Sequence, residues 1–481
     1  MAPGACCTPF ARFPFSRSQR LLRPPGFPTR HEFRALARLA LPVVAVQLGL
    51  MLMGVVDTMM VGRLSPQALG AVALGNVYFF AVAVIGMGTL MALDPIVAQA
   101  VGAGDEPAIA RGLQRGILLA FMISLPTAFG FCFVRPVLRA IGQPAELIPG
   151  ASAYIYLIIP GVLPFYLFIV FRQTLQAMGR IAPIVWVTLA ANLLNALLDW
   201  VLIYGRFGAP ALGVAGAALA TTISRWALAA ALLGAGWAEL APRLRPWRPE
   251  ATDRAALGRM ARLGIPIGVQ MFFEYGVFGL IGALMGRIGT LAVAGHQIAL
   301  NLSAVVFMVP QGIGAAAAVL VGRAVGAQDL SGARRAAWCA ILAGAGFMVA
   351  SALVFVLAPG FLARLYTLDG GVLAIAGSLI VLGGFFAVFD GLQAVSIGVL
   401  RGIGDTRAPV ILSLLGYWVI GLPVSLWLGF RLGWGPEGLW WGLVLGLAVT
   451  AVVLLARVRS RLRRTLERVR IDQPEPLPGK G

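Results

Sequence analysis

Hydrophobic and polar positions alternate along this chain with a long period. Apolar stretches of roughly 20 or more residues, the length an α-helix needs to cross a hydrocarbon core about 30 Å thick, recur from end to end between short arginine-bearing breaks. The pattern predicts twelve membrane helices, at about 36–61, 67–98, 113–135, 149–175, 182–204, 212–238, 261–285, 291–321, 335–359, 371–400, 408–430 and 437–457. Between the sixth and seventh, residues 241–258 carry Pro242, Pro246 and Pro249 with six charged residues, a break unlike the others. The expected organisation is a disordered cytoplasmic tail at 1–33, an amino-terminal lobe at 34–240, a cytoplasmic linker at 241–258, a carboxy-terminal lobe at 259–458 and a basic cytoplasmic tail at 459–481.

The two lobes repeat. A shift of 224 residues aligns RLALP (Arg38 to Pro42) with RLGIP (Arg262 to Pro266), GRL at Gly62 with GRI at Gly286, and VGAGD (Val101 to Asp105) with VGAQD (Val325 to Asp329). A shift of 225 to 226 joins LQAMGRIAP near Pro183 to LRGIGDTRAP near Pro409, and GAPALGVAG near Pro210 to WGPEGLWWG near Pro436. A shared offset over so long a span marks an internal duplication. Six crossings return the chain to its starting side, so both units take the same orientation. The predicted fold is an all-α membrane protein of twelve transmembrane helices, in two six-helix lobes related by a pseudo-two-fold axis along the membrane normal. Such a pair encloses a cleft at its interface and permits alternating access by rocking.

Composition agrees: 59% of the 481 residues are apolar, 12% are charged and mean hydropathy is +0.88. A formal charge of +19 would suggest nucleic acid if it lay on a folded polar surface. With both termini taken as cytoplasmic, the tails and even-numbered loops hold thirty Lys or Arg, Arg172 and Arg401 among them, and the opposite loops hold seven. This asymmetry sets orientation and attracts anionic lipid, which excludes a nucleic-acid reading. Cys6, Cys7, Cys132 and Cys339 lack the spacing of a metal site or disulfide framework, and His31 and His296 are too isolated for a metal cluster. No acid precedes Glu32 in an Arg-, Pro- and Phe-rich opening, which reads as a tail, with an organelle transit segment as the alternative.

Five carboxylates interrupt the apolar stretches: Asp57, Asp94, Asp199, Glu274 and Asp390. A charge at the centre of a membrane helix costs about 2.5 to 3.5 kcal/mol on insertion scales, so each needs a partner or a function. A carboxylate out of water requires neutralisation, which a proton, a dehydrated sodium ion or an organic cation can supply. These uses exclude one another at one site, and that competition couples an inward cation to an outward substrate. The competing reading of each acid is an ion pair with an arginine such as Arg225, or a helix cap near the interface. In ANLLNALLDW, Asn195 and Asp199 lie one turn apart and Asn192 precedes Asn195 by three, a polar stripe that could equally be an interhelical hydrogen-bond seam.

At these residues the sequence resembles the multidrug and toxic-compound extrusion (MATE) family, and its NorM-like branch, over about residues 34–458. The resemblance rests on MGVVDTMMVGRLSPQALGAVALG, NLLNALLDWVLIYGRFGAPALGVAGAALAT, PIGVQMFFEYGVFGLIGALMGRIG, AGHQIALNLSAVVFMVPQGIGAA and FDGLQAVSIGVLRGIGDTRAP. It implies that Asp57 is the amino-lobe acid that takes a proton or sodium, with Asn195 and Asp199 as its partners. Glu274 and Asp390 match the carboxy-lobe acids for cation and substrate, with Asn192 and Asp94 as further substrate contacts. Any sodium would sit at Asp57, Asp199, Glu274 or Asp390. Two positions depart from the pattern: Asp199 stands where Asn is common, and Phe386 where some sodium-linked members have Tyr. They leave the coupling ion open between H⁺ and Na⁺.

The expected function is secondary active efflux of organic, often cationic compounds by a monomer in the inner membrane, with no cofactor beyond the coupling ion. A lipid-linked oligosaccharide flippase of the same architecture is the first rival and predicts a cationic cavity. An enzyme is the second, and neither HExxH, GxSxG nor GxxxxGK[ST] occurs.

Overall fold

A computed structural model describes residues 28–472, so most of the expected amino-terminal tail and the end of the carboxy-terminal one lie outside the described residues. The described chain forms twelve membrane-length helices and no strand: α1 (Arg30–Gly62), α2 (Pro66–Ala103), α3 (Glu106–Cys132), α4 (Ile148–Ala177), α5 (Ala182–Tyr204), α6 (Val214–Ala235), α7 (Arg254–Ile288), α8 (Thr290–Gly326), α9 (Leu330–Leu357), α10 (Gly370–Ile403), α11 (Arg407–Arg431) and α12 (Gly435–Arg463). Helices are the available answer because hydrocarbon offers no partner to a free backbone amide. Their starts are written locally: Ser65 caps α2 ahead of Pro66, and Asp105 and Asp329, equivalent in the repeat, cap α3 and α9 through Ala108 and Gly332.

Three helices are interrupted. A turn at Met91 and Ala92 breaks α2, a 3₁₀ turn over Ile159–Gly161 breaks α4 at Pro160, and α11 widens into π-helical turns over Leu415–Gly421 and Trp427–Arg431. The linker is ordered rather than loose. Gln114 of α3 donates to the carbonyls of Arg243 at 2.9 Å and Pro246 at 3.2 Å, and Arg115 donates to Glu250 at 2.7 Å.

The halves meet along a seam on the side that carries both termini, and its contacts obey the repeat. Gly88 meets Gly268 where α2 crosses α7, and their counterparts Gly312 and Val44 meet where α8 crosses α1. A methyl on Gly102 would run into the Arg323 carbonyl, and one on Gly326 into that of Gln99, the same contact with the halves exchanged. Small residues let the backbones approach closely. Polar bonds reinforce the seam: Gln47 of α1 with Gln311 of α8, Glu32 with Arg335, and Gln99 Nε2 to the Gly402 carbonyl at 2.8 Å. Phe80 and Tyr275, with ring centroids 6.5 Å apart, stand toward the other face, beyond the Gly88–Gly268 crossing.

Two placements correct the sequence reading. Arg172 and Arg401 were counted with the loop arginines, but both fall inside helices: Arg172 lies within the predicted span of α4, and α10 runs on to Ile403, past its predicted end at 400. The carboxy-terminal tail is also partly built in: after α12 ends at Arg463, residues 464–472 lie folded against the protein.

Gly268→Val should lower the melting temperature of the purified protein by several degrees, since overpacking a tight contact costs about 1–3 kcal/mol. Gly54→Val, where a new Cβ meets nothing within 4 Å, should leave it unchanged in the same thermal-shift measurement.

Candidate functional site

Where the halves fork lies a cavity of about 450 Å³, within the usual range for small-molecule pockets. Helices α1, α2, α4, α7, α8 and α10 contribute to its wall, so both lobes form it. Met51, Met91, Met271, Met308, Phe278 and Phe307 supply pliable apolar surface. Glu274 and Asp390 face it from α7 and α10. Glu274 accepts a long 3.5 Å contact from Gln393 Nε2, and Gln393 in turn accepts from the Tyr417 hydroxyl at 3.1 Å. Tyr417 belongs to the π-helical turn of α11, so this irregular stretch backs the acidic wall.

The opposite, terminal end of the cavity is basic. Arg172 and Arg401 line it, and Arg172 donates to Gln47 Oε1 at 3.1 Å. Asp94 does not line the cavity. It is 1% exposed, and its Oδ2 meets Arg401 Nη1 at 3.2 Å, so it reaches the cavity only through that arginine. A buried pair of this kind is sustained by mutual neutralisation.

Asp57, Asn195 and Asp199 form a separate group inside the amino-terminal lobe, each 4% exposed or less and none in the cavity wall. The carboxyls of Asp57 and Asp199 face each other beside the Asn195 amide, and Thr221 donates to Asp57 Oδ2 at 3.3 Å. Asp57 Oδ1, both Asp199 oxygens and both Asn195 amide atoms are buried with no hydrogen-bond partner in the protein. Arg225 makes no ion pair with Asp57; its guanidinium lies 4.1 Å from the Phe79 ring centroid and 5.2 Å from that of Phe165. Asn192 parts company with this stripe: its amide donates to the Thr188 carbonyl at 2.8 Å and lies against Gly49 of α1, outside the cavity.

Sequence reasoning overlooked the glutamines. Gln47, Gln173, Gln176, Gln270, Gln311 and Gln393 all line the cavity. Their signal was available, since Gln270 precedes Glu274 by one turn and Gln393 follows Asp390 by three residues, each on the face of an acid. Among the described residues no group of three or more His, Cys, Asp or Glu is arranged to hold a metal ion.

Comparison with known proteins places these features in context. The MatE family model matches residues 42–201 and 266–427. "Probable multidrug resistance protein NorM" of Rhizobium meliloti is 39% identical over 450 residues, covering 90% of this chain and 94% of that protein. "Multidrug resistance protein PmpM" of Pseudomonas aeruginosa is 38% identical over 462 residues, covering 94% and 96%. The crystal structure of the eukaryotic MATE transporter AtDTX14 matches with a TM-score of 0.80 at 25% identity, over 90% of this chain and 99% of that one. That of the Vibrio cholerae MATE transporter VcmN in the bent form matches in fold, with a TM-score of 0.78 at 20% identity over 90% and 97%.

Arg401→Met should destabilise the protein strongly, because it strands Asp94 in a site that cannot hydrate it, at a cost of about 3–5 kcal/mol. Adding Asp94→Leu should recover most of the loss in thermal unfolding; equal loss in the single and double variants would remove the pair's role.

Proposed function

This chain belongs to the MATE family, on its NorM-like branch, and from that premise we propose that it exports amphipathic organic cations in exchange for an inward proton or sodium ion. The observation that carries the proposal is the wall formed by Glu274 and Asp390 in a methionine- and phenylalanine-lined cavity shared by two rocking lobes. Apolar side chains contribute tolerant contact, while the carboxylates select positive charge. Asp57 and Asp199 act as the ion site of the amino-terminal lobe with Asn195. Their buried, unpartnered oxygens suit a proton or a small cation, either of which would offset the charge of the facing carboxyls. Glu274 and Asp390 serve cation and substrate in turn. Asp94 shapes the cavity through Arg401, and Asn192 supports α5 against α1.

The reading carries an orientation. Even with Arg172 and Arg401 taken out of the loops, basic residues remain concentrated on the terminal side, which supports cytoplasmic termini in an inner membrane. The protein acts as a monomer, since each chain holds a whole cavity. One observation favours the flippase rival: the two arginines at the terminal end of the cavity. Asp94 offsets one of these charges and Arg172 donates to the neutral amide of Gln47, so two carboxylates face a ligand against one uncompensated arginine.

Everted vesicles loaded with a fluorescent organic cation, energised by a pH gradient or by a sodium gradient, test the exchange. Glu274→Gln and Asp390→Asn should each slow gradient-driven transport about tenfold or more, the worth of a charge-assisted contact, with unchanged amounts of protein in the membrane. Transport at full rate in the double variant would remove both residues from the mechanism. Asp57→Asn should uncouple the gradient while leaving binding of the cation to purified protein within about twofold, because Asp57 lies outside the cavity wall.

A further inference from the structure

The chain that follows α12 crosses from one lobe to the other. Arg334 of α9 holds the end of α12 through the Leu462 carbonyl at 2.6 Å, so the segment starts anchored in the carboxy-terminal lobe. Its far end is held largely by the amino-terminal lobe. The Val469 amide donates to Gln99 Oε1 at 2.7 Å, Arg468 pairs with Asp105 at 2.9 Å, and Asp472 pairs with Arg111 at 2.7 Å and Arg115 at 2.6 Å. Arg259, at the start of α7, donates to the Ile471 carbonyl at 2.7 Å. Leu466, Val469 and Ile471 pack on the same apolar core as α2 and α3, and the Val469 side chain fills the space that a Cβ on Gly404 would need. Burial pushes the Asp472 carboxyl up, but Arg115 and Arg111 outweigh it and hold it below the ordinary carboxylate range, so it stays charged at neutral pH.

Gln99 is the pivot. It is fully buried, and this one residue meets three parts: side-chain Oε1 takes the segment's amide, side-chain Nε2 reaches the Gly402 carbonyl of α10, and the backbone carbonyl abuts Gly326 of α8. The strap therefore lies over the α2–α8 crossing that closes the terminal side.

We propose that residues 464–472 are a latch that holds the terminal side of the seam closed and must release from α2 and α3 each time the lobes rock to open that side. The latch rests on the two-lobe exchange reading only for its cycle; its grip on one conformation is independent of what is carried. Breaking it shifts the population toward the state open on the terminal side and closed on the other.

Hydrogen exchange of the full-length protein in nanodiscs reads this without any substrate. Arg468→Glu with Asp472→Lys should speed exchange of peptides covering 93–103 and 318–327 about tenfold, as expected for losing charge-assisted bonds, and should slow exchange at 51–62 and 274–286 on the opposite face. Faster exchange on the terminal side with no slowing opposite would mean that the segment merely covers the surface, and would overturn the latch. A second measurement uses Asp105→Cys with Arg468→Cys in a chain whose Cys6, Cys7, Cys132 and Cys339 are replaced by Ser. Joining the pair with a cleavable bifunctional thiol reagent should stop gradient-driven cation transport, and reduction should restore it. Full-rate transport while cross-linked would equally overturn the proposal. If the exchange shifts appear while no cation is moved by any variant, the latch stands and the efflux reading falls.

Discussion

Hydrocarbon cannot hydrogen-bond, and this constraint organises the molecule from its backbone to its site. It forces the crossing segments into helices and drives ionisable side chains inward, where they must find one another. The result is a division of the buried acids by circumstance. Asp94 is matched by Arg401, Asp57 and Asp199 are gathered with Asn195, and Glu274 and Asp390 are left facing a space large enough for a ligand. The same physics that would otherwise eliminate these residues makes them the places where a mobile charge is wanted.

Duplication supplies the mechanical part. Because the halves are parallel repeats, each close approach at the seam occurs twice: Gly88 with Gly268 is repeated as Gly312 with Val44, and Gly102 with Arg323 as Gly326 with Gln99. Glycine at these points removes the side chains that would otherwise interlock, so the surfaces approach to backbone distance. The polar bonds laid over this seam include Gln47 with Gln311, Glu32 with Arg335, Gln99 with the Gly402 carbonyl and Asp94 with Arg401, and the segment after α12 lies across its edge. A closed side held by a small number of directional bonds can open without unfolding either lobe, which suits two rigid bundles exchanging between two arrangements.

The two ends of the cavity differ in charge. On the acidic wall of α7 and α10, Glu274 is approached by a neutral amide, Gln393, itself held by the Tyr417 hydroxyl, so its charge is not cancelled there. At the basic end Asp94 pairs with Arg401, while Arg172 donates to the neutral amide of Gln47. Whether a wall residue has a charged partner depends on residues behind the wall, as Asp94 stands behind Arg401.

Helix number, the two-lobe division and the parallel orientation were all legible in the sequence, because hydropathy and a shared 224-residue offset are properties of the chain itself. So was the list of buried acids, since an acidic residue inside a membrane-length apolar stretch is a feature of the chain itself. What each acid faces depends on groups far away in the chain, and only the tertiary structure decided it. Arg401 stands 307 positions from Asp94, Asn192 turned toward α1 while Asn195 turned inward with Asp199, and Arg172 moved from an expected loop to the cavity wall. The ordered segment at 464–472 was invisible for the same reason: its composition is that of a solvated basic tail, and its place is set by Gln99, Asp105, Arg111 and Arg115, which folding alone brings together.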